Sequence, residues 1–358
     1  MEKTACLKQR DATFDIAKAL AIILMCIGHT NCPEGLSEFI YMFHMAFFFM
    51  ASGWFFNDKN LDNFRLYLWK RIKGLWLPFV VWGMAFVWLH NVLLHVGLLV
   101  PGNADYTIKE ILWKSLTTIP RFIPTEDMMG PYWFLSCLFR VSICAWIVMW
   151  ICSKLPKSKT SAAIAFALLY LAAWLDIWYN VGLNDTLVRT FAVSAIFFIS
   201  MILNRGEYLE LIKKNTCVSA LVSLAVLLAG LYAGVGHIST PENEFQGPIL
   251  YIAYSLAGFT LLIVSSLWIK NIDWLSRWLT FVGKHTLVIL LANVLCLRLM
   301  EWLIAHIVSH QGPATDVLTM YSQWYVCLGY TLFMVVLPLA FTTLYDKLRT
   351  NILLWLKL

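Results

Sequence analysis

The sequence predicts an all-α integral membrane protein, a bundle of about ten transmembrane helices with both termini cytoplasmic. Three observations carry this. Hydrophobic residues make up 60% of the 358 positions and charged residues only 13%, against roughly 45–50% and about 25% in soluble domains. Ten apolar segments approach the ~20 residues that a helix needs to cross the hydrocarbon core. Basic residues are also unevenly shared between alternate loops. With an N-terminus inside, 20 of the 27 Lys and Arg fall in cytoplasmic segments, against Lys109, Lys114 and Arg121 outside and Lys18, Arg140, Arg189 and Arg298 within spans; this is the bias expected of cytoplasmic loops. A net charge of +6 therefore reads as membrane anchoring rather than nucleic-acid binding. Spans use up the length, so residues 1–358 read as one polytopic domain.

The segments follow in order. The first, 13–31, is too long for a signal peptide and has no small-residue cleavage site, so it reads as a retained span. The second, 36–56, is almost wholly apolar "FIYMFHMAFFFMASGWFF". The third, 75–97, follows the basic stretch "YLWKRIKGLWLPF". The outer loop 98–130 carries "YTIKEILWKSLTTIPRFI", whose apolar spacing suggests a short helix lying on the membrane face. The fourth span, 131–152, opens on "GPYWFLSCL". Then come 160–180 and 186–204, separated by a short gap at 181–185, and the apolar runs 216–236 and 248–269. The ninth, 281–307, is overlong and contains Arg298, Glu301 and His306, so its end reads as interfacial. The last is 322–345. No clear repeat links the two halves, which counts against a transporter built from repeats. The nine cysteines show neither CxxC nor a Cys/His spacing for metal, so free thiols and no metal site are expected.

Ionisable residues inside spans point to cavities, partners or chemistry. Asp15 and Lys18 stand at i and i+3 in the first span, close enough to pair. Lys18 and His29 are eleven residues apart, three helical turns, so they share one face about 16 Å apart. Taken alone, the register match favours the plainer reading, with Lys18 snorkelling to headgroups and His29 interfacial. His44 adds a second histidine in an apolar span, followed by small residues Ser52 and Gly53 that suit close helix packing. Lys70, Arg71 and Lys73 gather before the third span, either as positive-inside anchors or as a phosphate-binding cluster. Arg140 and Arg189 either pair with acids or face the cavity. Glu126 and Asp127 in the outer loop read as acceptor contacts or solvated groups, and His90, His95, His237, His306 and His310 as interfacial residues.

Taken together, these stretches resemble the acyltransferase type 3 family of integral-membrane acyltransferases, which includes bacterial O-acetyltransferases of surface polysaccharides. The resemblance rests on Asp15, Lys18 and Gly28-His29 in the first span, "FHMAFFFMASGWFF", "KRIKGLWLPF", "GPYWFLSCL" and "FVGKHTLVILL", in that order over most of the chain, with core motifs in 13–80 and late spans in 281–345. It implies a stand-alone O-acyltransferase without a fused soluble domain, in the bacterial cytoplasmic membrane. Acetyl-CoA or another acyl-CoA would be the donor and no cofactor would be tightly bound. The acceptor would be a glycan or lipid-linked glycan, with membrane lipids as further partners. By resemblance, His29 and His44 would be catalytic, and Asp15, Lys18, Lys70, Arg71 and Lys73 would bind acyl-CoA. A transporter or exporter with the histidines as proton relays is the competing class. Three departures stand out. Lys18 replaces an arginine and loses its planar fork. Arg71 is followed three places on by Gly74 instead of a second arginine. Ala292-Asn293 stands where some relatives place a histidine.

Overall fold

The computed structural model describes residues 12–236, 238–308, 312–320 and 323–355. Cys6, His237 and His310 lie outside the described residues, as do Lys3, Lys8, Arg10 and Lys357. The helices are α1 Ala12–Gly28, α2 Glu34–Tyr41, α3 His44–Trp54, α4 Phe64–Arg71, α5 Leu77–Val96, α6 Ile108–Trp113, α7 Trp133–Ser153, α8 Ser158–Tyr179, α9 Asp185–Arg205, α10 Tyr208–Lys214, α11 Thr216–Tyr232, α12 Pro248–Ile269, α13 Asp273–Lys284, α14 Thr286–Ile307, α15 Val317–Met320 and α16 Trp324–Trp355. Among the described residues eight spans are long and apolar enough to cross a membrane, or nine when α10 and α11, bent by 103°, count as one. The reading of ten spans goes beyond this number.

The helix α1 has 17 residues and sits at the centre, packed by α3, α12, α13, α14 and α16. Its alanines at 17, 19 and 21 are fully buried, and such small side chains let neighbouring backbones approach. Protein surrounds this helix, which is why a segment carrying Asp15, Lys18 and His29 can lie in a bundle of this composition.

Glycines close two of the contacts that fix it. A Cβ at Gly53 would overlap the Phe197 carbonyl, so only glycine lets α3 lie against α9; a Cβ at Gly283 would overlap the Asp15 carbonyl of α1. Substituting Gly53 by valine forces the two backbones apart, and overpacking of this kind costs about 1–3 kcal/mol. The expected result is a lower melting temperature of the purified protein in detergent. Melting like the wild type would mean that α3 and α9 do not touch in the native protein.

Four local features depart from a simple series of spans. The second span is interrupted at Met42-Phe43, where Phe43 takes φ −145°, so α2 and α3 are separate helices. The third is one continuous helical run, Phe64–Val96, with a wide π turn at Ile72–Trp76. Pro78, which has no N–H to give to the Gly74 carbonyl, stands just after that turn. The ninth segment is split at His285, between α13 and α14. The polar Lys284-His285 pair ends an amphipathic helix there and starts an apolar one.

The fourth feature is the course of the outer loop, 98–130, whose α6 leaves Ile108, Leu112 and Trp113 exposed. The Asn91 side chain exchanges hydrogen bonds with the Tyr106 backbone at 2.8 and 2.9 Å. Ile119 packs at Gly83, Phe122 rests on Phe79 with ring centroids 4.9 Å apart, and the Trp76 indole donates to the Pro120 carbonyl at 2.9 Å. The segment thus descends along about four turns of α5 and then climbs back to α7. A Thr107–Glu110 capping box starts its short helix α6, and the Thr107 backbone N–H and hydroxyl hold the Glu110 carboxyl below the usual carboxylate range.

Candidate active site

The C-terminus of α1 is built to hold His29 in place. Its backbone N–H reaches the Met25 and Cys26 carbonyls at 3.2 Å each. The Thr30 hydroxyl donates to the Ile27 carbonyl at 2.7 Å and meets Cys327 Sγ of α16 at 2.8 Å. Tyr41 donates to the Gly28 carbonyl at 3.4 Å, which ties the end of α1 to the end of α2.

Interruption of the second span places the other histidine. His44 is the first residue of α3, and its Nδ1 lies 2.8 Å from the Ile40 carbonyl. A carbonyl only accepts, so Nδ1 carries the proton and Nε2 keeps its lone pair. The buried His44 ring stands edge-on to Tyr41, 5.1 Å between centroids.

Both histidines line one cavity of about 310 Å³. Met25, Tyr41 and Met45 line it too, with Gly130, Pro131 and Trp133 from one side and Ile238 to Pro241 from the other. The structure therefore brings His29 and His44 together, at the end of α1 opposite to Asp15.

The remaining predicted residues lie toward that opposite end. Lys18 Nζ is 2.7 Å from the Asp15 carboxylate, which is 2% exposed. Phe14 packs on Trp54 and Phe55 at the end of α3. One turn earlier on α3, Ser52 accepts from Arg71 at 3.4 Å, so Arg71 shares this end of the bundle with the Asp15–Lys18 pair. Its guanidinium lies 5.1 Å over the Tyr67 ring. Lys73 is exposed above Trp69, at 5.0 Å, and Lys70 is exposed. None of Asp15, Lys18, Lys70, Arg71 and Lys73 lines the histidine cavity. The two groups are separated by the three turns of α1 that the spacing of Lys18 and His29 requires.

Residues read blandly from the sequence turn out to shape the cavity. His90, far from being interfacial, is buried with Nδ1 2.6 Å from Glu126 Oε2 and Nε2 3.1 Å from the Ala104 carbonyl. Nε2 therefore donates to the Ala104 carbonyl while Nδ1 bonds the Glu126 carboxyl. Lys114 reaches the other carboxylate oxygen at 3.3 Å and donates to the Tyr106 hydroxyl. Tyr106 stacks on His90 at 3.5 Å, and burial raises its hydroxyl above the usual range, keeping it neutral. This cluster pins the returning strand of chain that leads into Gly130–Trp133. Opposite, Arg189 donates from Nε to the Thr240 carbonyl at 2.8 Å and from a terminal nitrogen to the Pro241 carbonyl, holding the other wall. An arginine within a span was the signal in the sequence; its carbonyl partners, some fifty residues on, were not. Asn293, at the position where the resemblance breaks, is buried with Nδ2 3.5 Å from Cys26 Sγ and from Met334 Sδ and packs between α1 and α16. Among the described residues no group of three or more His, Cys, Asp or Glu could hold a metal.

A family model described as an acyltransferase domain, type 3, matches residues 11–343. The nodulation protein NolL of Mesorhizobium japonicum is 29% identical over a stretch covering 44% of this chain and 42% of that protein, so the match spans less than half the length of this relative. No solved structure matches the chain.

Proposed function

The chain belongs to the acyltransferase type 3 family, and from that premise we propose that it transfers an acyl group, acetyl in the simplest case, from a cytoplasmic acyl-CoA to a hydroxyl of a cell-surface polysaccharide or its lipid-linked precursor. The single observation supporting this reading is the cavity shared by His29 and His44. In this reading His29 takes the proton of the acceptor hydroxyl as that oxygen attacks the thioester carbonyl. The tetrahedral adduct then collapses, the C–S bond breaks, and the proton passes to the departing thiolate. His44, with Nδ1 committed to the Ile40 carbonyl, presents Nε2 as an acceptor that orients the incoming hydroxyl. The donor's phosphates belong at the other end, with Arg71, Lys18, Lys70 and Lys73. There Asp15 orients Lys18, and the pantetheine arm bridges the turns of α1 between the two groups.

The test is transfer of label from acetyl-CoA by the purified protein in lipid nanodiscs. Wild type consumes acetyl-CoA in the presence of its surface glycan, and Lys18→Ala raises KM for acetyl-CoA about tenfold, the loss of one charge-assisted contact. Absence of any acyl transfer would sink the reading, and an unchanged KM would remove Lys18 from the donor site.

A further inference from the structure

The ends of α7, α8 and α9 enclose a cavity of about 570 Å³ that the proposed transfer does not use. It opens at the end of the bundle that holds Asp15 and Lys18, because the Asn204 amide at the end of α9 donates to the Trp54 carbonyl at 2.7 Å. Its walls carry charges of both signs, Lys154, Lys159 and Arg205 against Asp58 and Asp62. Arg205 pairs with Asp58. Among the described residues no ion pair joins Asp62, Lys154 or Lys159. Two cations and one carboxylate thus line the same cavity without meeting. Trp150, 45% exposed, is also part of the wall, and tryptophans at span ends collect at the level of lipid headgroups.

A second cavity, of about 320 Å³, adjoins the first, since Met149, Lys159 and Arg205 line both. Its remaining walls are Ala162, Phe198, Ile202 and Gly206. On each helix the apolar wall lies deeper in the span than the charge. Met149 stands five residues before Lys154 on α7, Ala162 three after Lys159 on α8, and Ile202 three before Arg205 on α9, a depth of about 5–8 Å. A charged mouth over an apolar floor suits an amphiphile with its head at the interface and its chain in the seam between α8 and α9. The charges also select the head. A phosphate meets two ammoniums, and a primary ammonium donates to the carboxylate of Asp62, which a quaternary ammonium without N–H groups does not. We propose that the paired cavities bind a phospholipid whose headgroup carries a phosphate and a primary ammonium, with the phosphate at Lys154 and Lys159, the ammonium at Asp62 and one chain in the apolar cavity. Among the described residues α8 is the least buried of the eight spans, so an occupant of this seam holds the helix that protein packing holds least. Nothing in the site depends on acyl transfer.

The test uses the purified full chain in dodecylmaltoside micelles, with melting followed by tryptophan fluorescence. Dioctanoyl phosphatidylethanolamine, phosphatidylglycerol and phosphatidylcholine are titrated by mole fraction in the micelle, beside phosphoethanolamine as a headgroup without chains. Wild type should gain stability saturably with phosphatidylethanolamine, at a midpoint about tenfold below those of the other two lipids, the effect of one charge-assisted contact. Joint replacement Lys154→Gln and Lys159→Gln should raise that midpoint about tenfold. Asp62→Asn should bring phosphatidylethanolamine to the midpoint of phosphatidylcholine. All three residues are exposed, so melting without lipid stays near wild type and the variants remain testable. Equal midpoints for the three lipids in wild type, or an unshifted midpoint in the double variant, would overturn the site. Preference for phosphatidylglycerol would overturn the pairing of an ammonium with Asp62. Stabilisation by phosphoethanolamine equal to that by its lipid would leave the apolar cavity without a role and overturn the assignment to a lipid.

Discussion

Replacement of His29 by alanine is expected to slow acyl transfer by about 10²–10⁴-fold, the usual contribution of a positioned general base, while expression and melting stay near wild type. The stability half follows from the surroundings. The turn at the end of α1 is closed by backbone bonds and by Thr30 and Tyr41, none of which needs the imidazole. Removing the ring only enlarges a cavity that is already about 310 Å³. That volume allows a sharper control, because added imidazole should enter the enlarged cavity and restore part of the rate. Rescue of this kind requires proton transfer at that place and does not follow from a packing role. His44→Ala should differ in both respects. Its Nδ1 bond to the Ile40 carbonyl holds the break between α2 and α3, so melting falls together with activity and imidazole does not rescue it. The assay is label transfer from acetyl-CoA with and without added imidazole. Full activity in the His29 variant would take the base away from this residue.

How much of this was legible beforehand depended on whether the signal was local. The apolar run at 248–269 coincides with α12, bounded by Pro248 and Lys270, because hydropathy and helix ends agree there. The ninth segment kept its hydropathy across Lys284-His285, and a window of apolar residues does not register the bend that separates α13 from α14. The Asp15–Lys18 pair needed only helical spacing, and it is present at 2.7 Å. Spacing likewise placed Lys18 and His29 toward opposite ends of one helix. The common cavity of His29 and His44 depended on Phe43 leaving the helical region, a backbone event with no proline or glycine to announce it. In the outer loop, the pairing of Glu126 with His90 joins residues 36 apart in sequence, and neither type of residue signals the other. The periodic apolar residues of 106–123 were correctly read as helical, and they divide: Ile119 and Phe122 pack along α5, while Ile108, Leu112, Trp113 and Leu116 stay exposed. Periodicity reports an apolar face and leaves open which partner covers it.

The second large effect should come from Glu126, far from the proposed chemistry. Its carboxylate is 2% exposed and stands between His90 and Lys114. Removing one partner of a buried ion pair leaves the others uncompensated, which costs about 3–5 kcal/mol. Glu126→Ala leaves a buried imidazole and an ammonium facing each other, so both the stability and the course of the chain should change. Melting should fall more than for Gly53→Val, and hydrogen exchange should rise across 104–132, the part of the chain that Asn91, His90 and Trp76 hold against α5. Because Gly130, Pro131 and Trp133 line the cavity only a few residues further on, transfer should drop as well, through the acceptor's KM more than through kcat. Glu126→Gln separates charge from shape. It preserves the volume and can still accept from His90 at one oxygen, so it should recover much of the hydrogen-exchange protection while losing the pairing with Lys114. A Glu126→Ala protein with wild-type melting and unchanged exchange across 104–132 would show that this cluster does not hold the segment in place, and the cavity wall would have to be fixed by the Asn91 and Trp76 hydrogen bonds and the packing of Ile119 and Phe122.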